Sequence, residues 1–228
     1  TQLKKAYPNI PLHASTQMQL HSSLSANEAK KLGLERIVFA RELSKEDIKK
    51  ASSCGVETEI FVHGAVCVCQ SGGCLMSSFI GGRSGNRGRC AQPCRQSYNG
   101  AYPLSLKDMC YASHIPEICA MGVDCLKIEG RMKSPEYVYE TVSVYRTLLD
   151  ECRAATNAEL NRLSAAFSRS GFSDGYYVGK KSKAMFGIRT ETDKEISRSQ
   201  NVVIKERKIP VSLFAEFRAG KEVFVRAS

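Results

Sequence analysis

Short apolar runs alternate with longer polar stretches of helical character along this chain. The runs at 10–15 (IPLHAS), 36–41 (RIVFAR), 59–63 (EIFVH) and 124–128 (DCLKI) have the length and bounds of strands. Between them the pattern predicts helices. Residues 27–32 form one that Gly33 ends. Ser44 caps a second, with Glu46 and Asp47 in its first turn, Lys49 and Lys50 near its end and Gly55 beyond. A short turn is expected at 105–109, then a helix at 114–121 closed by Gly122. Residues 135–152 form the strongest helix, with Ser134 as N-cap, Pro135 at the first position, and Val138, Val142, Tyr145 and Leu149 as its core stripe. Another helix covers 158–167.

Strands of about five residues alternating with helices imply an α/β fold with a parallel sheet. Four βα units are half of an eight-stranded barrel, so the sheet is either open or part of a TIM-like (β/α) barrel whose first half is absent. The expected organisation is a partial barrel domain at 1–185 with a Cys-rich loop at 64–100. A linker at 186–208 follows, containing the charged stretch 190–207, and then the beginning of a small C-terminal β domain at 209–228. Alternation at 210–217 and 223–226 around Ala219, Gly220 and Lys221 reads as a hairpin, which is marginal on its own.

Composition narrows the class. No apolar run has membrane-spanning length, and the start lacks a basic region followed by an apolar stretch. Ten cysteines in a chain of 228 residues with regular elements suit a reducing, cytoplasmic setting better than a disulfide scaffold. Cys54, Cys119, Cys125 and Cys152 fall in helix- or strand-like segments and read as small buried hydrophobes. The formal net charge is +10, which favours anionic partners. No acidic residue lies between Glu59 and Asp108, a stretch holding Arg83, Arg87, Arg89 and Arg95.

That stretch also holds Cys67, Cys74, Cys90 and Cys94, with gaps of six, fifteen and three residues. Thiolates suit soft iron and zinc, and the arginine field should favour thiolate over thiol. Zinc sites usually pair ligands two to four residues apart, which only the last pair does, whereas a four-iron cluster tolerates uneven gaps. Spacing leaves an iron–sulfur cluster, zinc and plain thiols open, with Cys69 and Cys110 as substitute ligands. Polar groups collect at strand exits: His13, Ser15 and Gln17; Arg41 and Glu42; Glu59 and His63; Lys127, Glu129 and Arg131. Walker, GxSxG, HExxH and GxGxxG templates are absent. His63 stands four residues before Cys67, so a thiol dyad is conceivable.

The run EIFVHGAVCVCQSGGCLMSS resembles the signature of the collagenase-like peptidase family, peptidase family U-thirty-two, through Glu59, Phe61, Gly64, Ala65, Val66, Cys67, Gly72, Cys74, Met76 and Ser77. GRCAQPCR and LKIEGRMKSPEYV are equally typical of it, and the chain is most like the long RNA-hydroxylating members. The resemblance implies the second half of a barrel and a four-iron four-sulfur cluster on Cys67, Cys74, Cys90 and Cys94, the fourth ligand differing among branches. It also implies hydroxylation of a ribosomal or transfer RNA pyrimidine, with a small carboxylate such as prephenate as co-substrate. Glu59, His63, Glu129 and Arg131 are then the catalytic candidates. Arg83, Arg87, Arg89 and Arg95 are the candidates for RNA or carboxylate binding. A collagenase-like peptidase using His63, Cys67 and Glu129 is the alternative from another class, and a non-enzymatic RNA-binding module is the third. A partial barrel would expose strand edges and invite self-association.

Overall fold

The computed structural model describes residues 2–199 and, beyond them, the backbone of two strands at 213–216 and 224–227. Helix α1 (Gln2–Ala6) leads to β1 (His13–Ala14). Helix α2 (Ser23–Lys31) starts earlier than the sequence pattern suggests, because Ser22 and Ser25 form a reciprocal cap. β2 (Arg36–Val38) is followed by α3 (Lys45–Ser52), whose cap is Ser44 as expected, its hydroxyl accepting from the Asp47 amide. β3 (Glu57–Gly64) is buried from Thr58 onward.

The Cys-rich loop then contains α4 (Met76–Gly81), ended by Gly82, and 3-10 turns at Gly85–Arg87 and Pro93–Arg95. β4 (Asp108–Cys110) occupies part of the segment expected as a turn. Three residues without a β-branched side chain carry no local strand signal, and they are extended because they pair with the end of β3. After α5 (Ile115–Ala120) and β5 (Cys125–Ile128) comes α6 (Pro135–Asp150), capped by Ser134. Then come α7 (Asn157–Ala166), β6 (Phe172–Ser173) and α8 (Glu191–Arg198). A Thr190–Asp193 capping box starts α8 inside the stretch expected as a linker, and the helix packs on α7. β7 (Leu213–Glu216) and β8 (Phe224–Ala227) pair antiparallel, so the expected hairpin forms; its turn residues lie outside the described residues.

The four strands expected from the pattern run parallel and in chain order, β1-β2-β3-β5, with Ala14 opposite Ile37, Val38 opposite Glu59 and Glu59 opposite Cys125. The sheet is nevertheless mixed. β4 lies antiparallel to the end of β3, with His63 opposite Cys110, and β6 runs parallel to β4. The fold is thus α/β with a six-stranded sheet. Ile37, Phe39, Val62, Met109, Ile115, Ile118, Val144, Leu148 and Leu163 are almost wholly enclosed.

The buried face of α6 is Tyr137, Thr141, Val144, Tyr145 and Leu148. Val138 and Val142, expected in the core, are exposed, and of the predicted stripe only Tyr145 is fully buried. Among the described residues no helix is long and apolar enough to cross a membrane.

Candidate active site

The parallel strands end on one rim. There the loops after β1, β2 and β5 enclose a cleft of about 650 Å³, lined by Gln17, Arg41, Glu59, Lys127, Glu129 and Arg131 among others. Its walls carry paired charges. Arg41 Nη2 donates to Glu129 Oε2 at 2.8 Å, and the Arg41 guanidinium lies 3.9 Å from the centre of the Phe61 ring. The Lys127 ammonium donates to Glu59, whose other oxygen lies 3.7 Å from Arg36. Glu59 is nearly enclosed, whereas Glu129 is about one-third exposed. Arg131 makes no ion pair or hydrogen bond among the described residues.

Gly64 lets β3 leave the sheet at this rim. It has φ +108, and a Cβ there would stand 2.6 Å from the Glu129 carbonyl oxygen. Next to the cleft is a smaller cavity, about 100 Å³, lined by Cys67, Cys69, Cys74, Cys90 and Cys94. Gln17, Arg41, Gly85 and Asn86 belong to both linings, so the sulfurs border the cleft. The loop is laced in place from several sides. Glu42 accepts from the Ser71 amide and hydroxyl, both at 2.8 Å, and Asn86 Nδ2 donates to the Gly72 carbonyl at 2.9 Å. Gly72 has φ +79 and packs against Gln17 and Gln19, where a Cβ would come within 2.9 Å. The Gln92 amide donates to Cys90 Sγ at 3.3 Å.

Burial pushes the Cys67 and Cys94 thiols up, against the nearby Arg41 and Arg95. For these two thiols the loss of hydration outweighs the nearby cations. Among the described residues no three His, Cys, Asp or Glu side chains converge on a position for one metal ion. Five sulfurs line one cavity, and thiolates are the donor type that soft iron takes.

The other expected residues scatter. His63 is fully buried in the core, its Nδ1 3.3 Å from the Tyr145 hydroxyl and its ring against Tyr137 and Phe172. It has no place in the cleft or beside Cys67, because β3 turns its side chain inward while Gly64 and Ala65 carry the chain away. Arg95 is a clamp, not a free cation: it donates to the Val66 carbonyl at 2.6 Å and to the Leu106 carbonyl. Cys110 is buried beside Tyr145 and is no substitute ligand, whereas Cys69 lines the sulfur cavity. Of the cysteines expected as small buried hydrophobes, Cys54 and Cys125 are half-buried, and Cys119 and Cys152 are exposed. Arg83, Arg87 and Arg89 are exposed and without an ion pair among the described residues.

One cluster escapes sequence reading. Asp108, 1% exposed, receives Arg169 Nη1 at 2.6 Å on both oxygens. Arg189 and Lys133 stack on the same Phe167 ring. Burial pushes the Lys133 ammonium down to about 7, and the neighbouring Arg169, Arg189 and Arg95 add to this while Asp108 opposes it. Four distant stretches supply these groups, so no local motif could announce them.

Comparison with known proteins adds a family and its relatives. The family described as Peptidase family U32 matches residues 1–186. A protein of Bacillus subtilis (strain 168) named tRNA hydroxylation protein P1 is 39% identical over 165 residues, covering 64% of this chain and 39% of its own. A tRNA hydroxylation protein P of Helicobacter pylori (strain J99) is 39% identical over 204 residues, covering 76% of this chain and 47% of its own. A 23S rRNA 5-hydroxycytidine synthase of Escherichia coli (strain K12) is 37% identical over 155 residues, covering 63% of this chain and 24% of its own. The chain spans less than half the length of these relatives. No solved structure matches it.

Proposed function

The chain belongs to peptidase family U32, and on that footing we propose that it is part of an enzyme that hydroxylates a pyrimidine base of RNA with an iron–sulfur cluster. The observation that carries this reading is the cavity in which Cys67, Cys74, Cys90 and Cys94 gather beside the cleft at the strand ends. These four cysteines would hold the cluster, with Cys69 close enough to replace one of them. The bound cluster would supply one-electron chemistry at the edge of the cleft. The parallel run β1-β2-β3-β5 belongs, in this reading, to a (β/α) barrel, where functional groups gather at strand C-termini.

The chain's own side chains have separable tasks. Glu59, held by Lys127 and Arg36, fixes the charge pattern of the wall and is poorly placed to accept a proton. Glu129 is the more open carboxylate and faces the cleft, so it is the better group for proton transfer. Arg131, lining the cleft without a partner among the described residues, suits a carboxylate or a phosphate. A thiol peptidase fits less well, because the imidazole that would activate Cys67 is enclosed in the core.

The test is anaerobic purification followed by iron and sulfide analysis. About four irons per chain are expected. Most should be lost in Cys67→Ala and Cys90→Ala, and little in Cys110→Ala. A metal-free or zinc-loaded protein would overturn the cluster. Nucleoside mass spectrometry of RNA from cells with and without the full-length gene tests the reaction: one pyrimidine should lose one oxygen in the deletion. Unchanged RNA masses would leave a binding module.

A further inference from the structure

Ser77 and Pro93 each have two sides. On one side is the sulfur cavity; on the other is an open pocket of about 300 Å³ between α4 and the turn after Pro93. Ile80, Arg83, Gln96 and Tyr98 line it. The Tyr98 hydroxyl donates to the Pro93 carbonyl at 3.0 Å, which fixes the ring at the pocket wall.

The surface around this pocket is unusual for a protein exterior. Phe79 is 87% exposed and Ile80 65%, and Leu75 stands open at the start of the same helix. Arg83, Arg87 and Arg89 follow within ten residues of Phe79, exposed and without ion pairs among the described residues. No carboxylate occurs in the chain from 60 to 107 to neutralise them.

Open aromatic and aliphatic side chains beside unneutralised arginines fit a ligand with flat apolar faces and a regular negative charge. Unpaired RNA has both. A duplex would use the arginines but hide its base faces from Phe79 and Tyr98. An acidic peptide would use the arginines but has no planar groups at regular spacing. We propose that this face docks the unpaired strand flanking the target base. One base stacks on Phe79, a neighbour enters the pocket between Ile80 and Tyr98 with its edge towards Gln96, and Arg83, Arg87 and Arg89 take the phosphates. The proposal rests on the reading of the protein as acting on RNA, and it names the surface that holds the strand. Because Ser77 and Pro93 are shared walls, a strand held there runs past the sulfur cavity.

The test is fluorescence anisotropy of the full chain with a labelled RNA hairpin carrying a single-stranded loop. A blunt duplex without the loop is the control. Phe79→Ala should weaken hairpin binding by about tenfold, with little change for the duplex. Arg83→Gln and Arg87→Gln should each lower the slope of log affinity against log salt by about 0.7. All three positions are exposed, so circular dichroism and iron content should not change. Hairpin affinity that is unaltered in every variant overturns the docking face while leaving RNA as substrate. Absence of hairpin binding by the unaltered chain overturns both. A Phe79→Ala variant that sediments as a smaller species with unchanged RNA affinity overturns it in favour of a second copy covering this face.

Discussion

The imidazole of His63 has Tyr137, Tyr145 and Phe172 around it and no access to water. Tyr145 spends its one hydroxyl proton on the Val62 carbonyl at 2.8 Å, so Nδ1 of His63 must be the donor between the two rings. Nε2 then carries a lone pair with no donor among the described residues. Burial, helped by Lys133, lowers the imidazole to about 3. The unfolded chain takes a proton near pH 6.5 and the folded one does not, so stability falls as pH drops from about 6.5 towards 3. Each pH unit inside that window costs up to about 1.4 kcal/mol. His63→Phe should therefore lose about 1 kcal/mol at pH 8, through the missing hydrogen bond, yet lose less than the parent on acidification. Urea unfolding at pH 8, 6 and 5 reads this, and parallel pH dependence in the two proteins would contradict it. The sequence marks His63 as a strand residue near Cys67. Which way the strand faces there depends on β4 and α6, whose Cys110 and Tyr145 meet His63 from 47 and 82 residues further along.

At the scale of elements, termini are the most legible part. Ser44, Ser134, Gly55 and Gly122 act where the sequence places them, because capping is decided within four residues. Faces are less legible. On α6 the stripe Val138, Val142, Tyr145, Leu149 and the true face Tyr137, Thr141, Val144, Tyr145, Leu148 are both helical in period and differ by a small rotation. The neighbours select between them: the Tyr137 hydroxyl donates to the Glu129 carbonyl at 2.9 Å, and the Tyr145 hydroxyl reaches β3. The exit of β3 is similarly constrained by a neighbour. At Gly64 a methyl group would meet the Glu129 carbonyl at 2.6 Å, with φ at +108. Gly64→Ala should destabilise the protein by more than about 1 kcal/mol. It should also lower bound iron, since the same exit carries Cys67. An unchanged urea midpoint would show that the two strand exits can separate freely.

Across the whole molecule, Asp108 on β4 and Arg169 after α7 form an ion pair with side chains 2% and 12% exposed. Removing one partner leaves a buried charge, so Arg169→Leu should cost about 3–5 kcal/mol, and thermal or urea unfolding would show it. A loss under about 1 kcal/mol would mean that Lys133 or Arg189 takes over the carboxylate. Arg95 works on the same scale, joining the Cys-rich loop to the carbonyls of Val66 and Leu106. These contacts hold the sulfur loop to the strand rim, and they explain why a residue read as a free cation is instead a clamp.

Alternation of apolar runs with capped helices was enough to place four strands and most of the helices between them, because those choices depend on neighbours a few residues away. The cysteine and arginine content of residues 64–100 likewise singled out, from composition alone, the loop whose sulfurs border the cleft. Long-range packing assigned the rest. It made β4 a strand, turned His63 inward, engaged Arg95, left Phe79 in the open and gathered five sulfurs around one cavity. Each of those outcomes depends on which distant surface a side chain meets, and local periodicity contains no term for that.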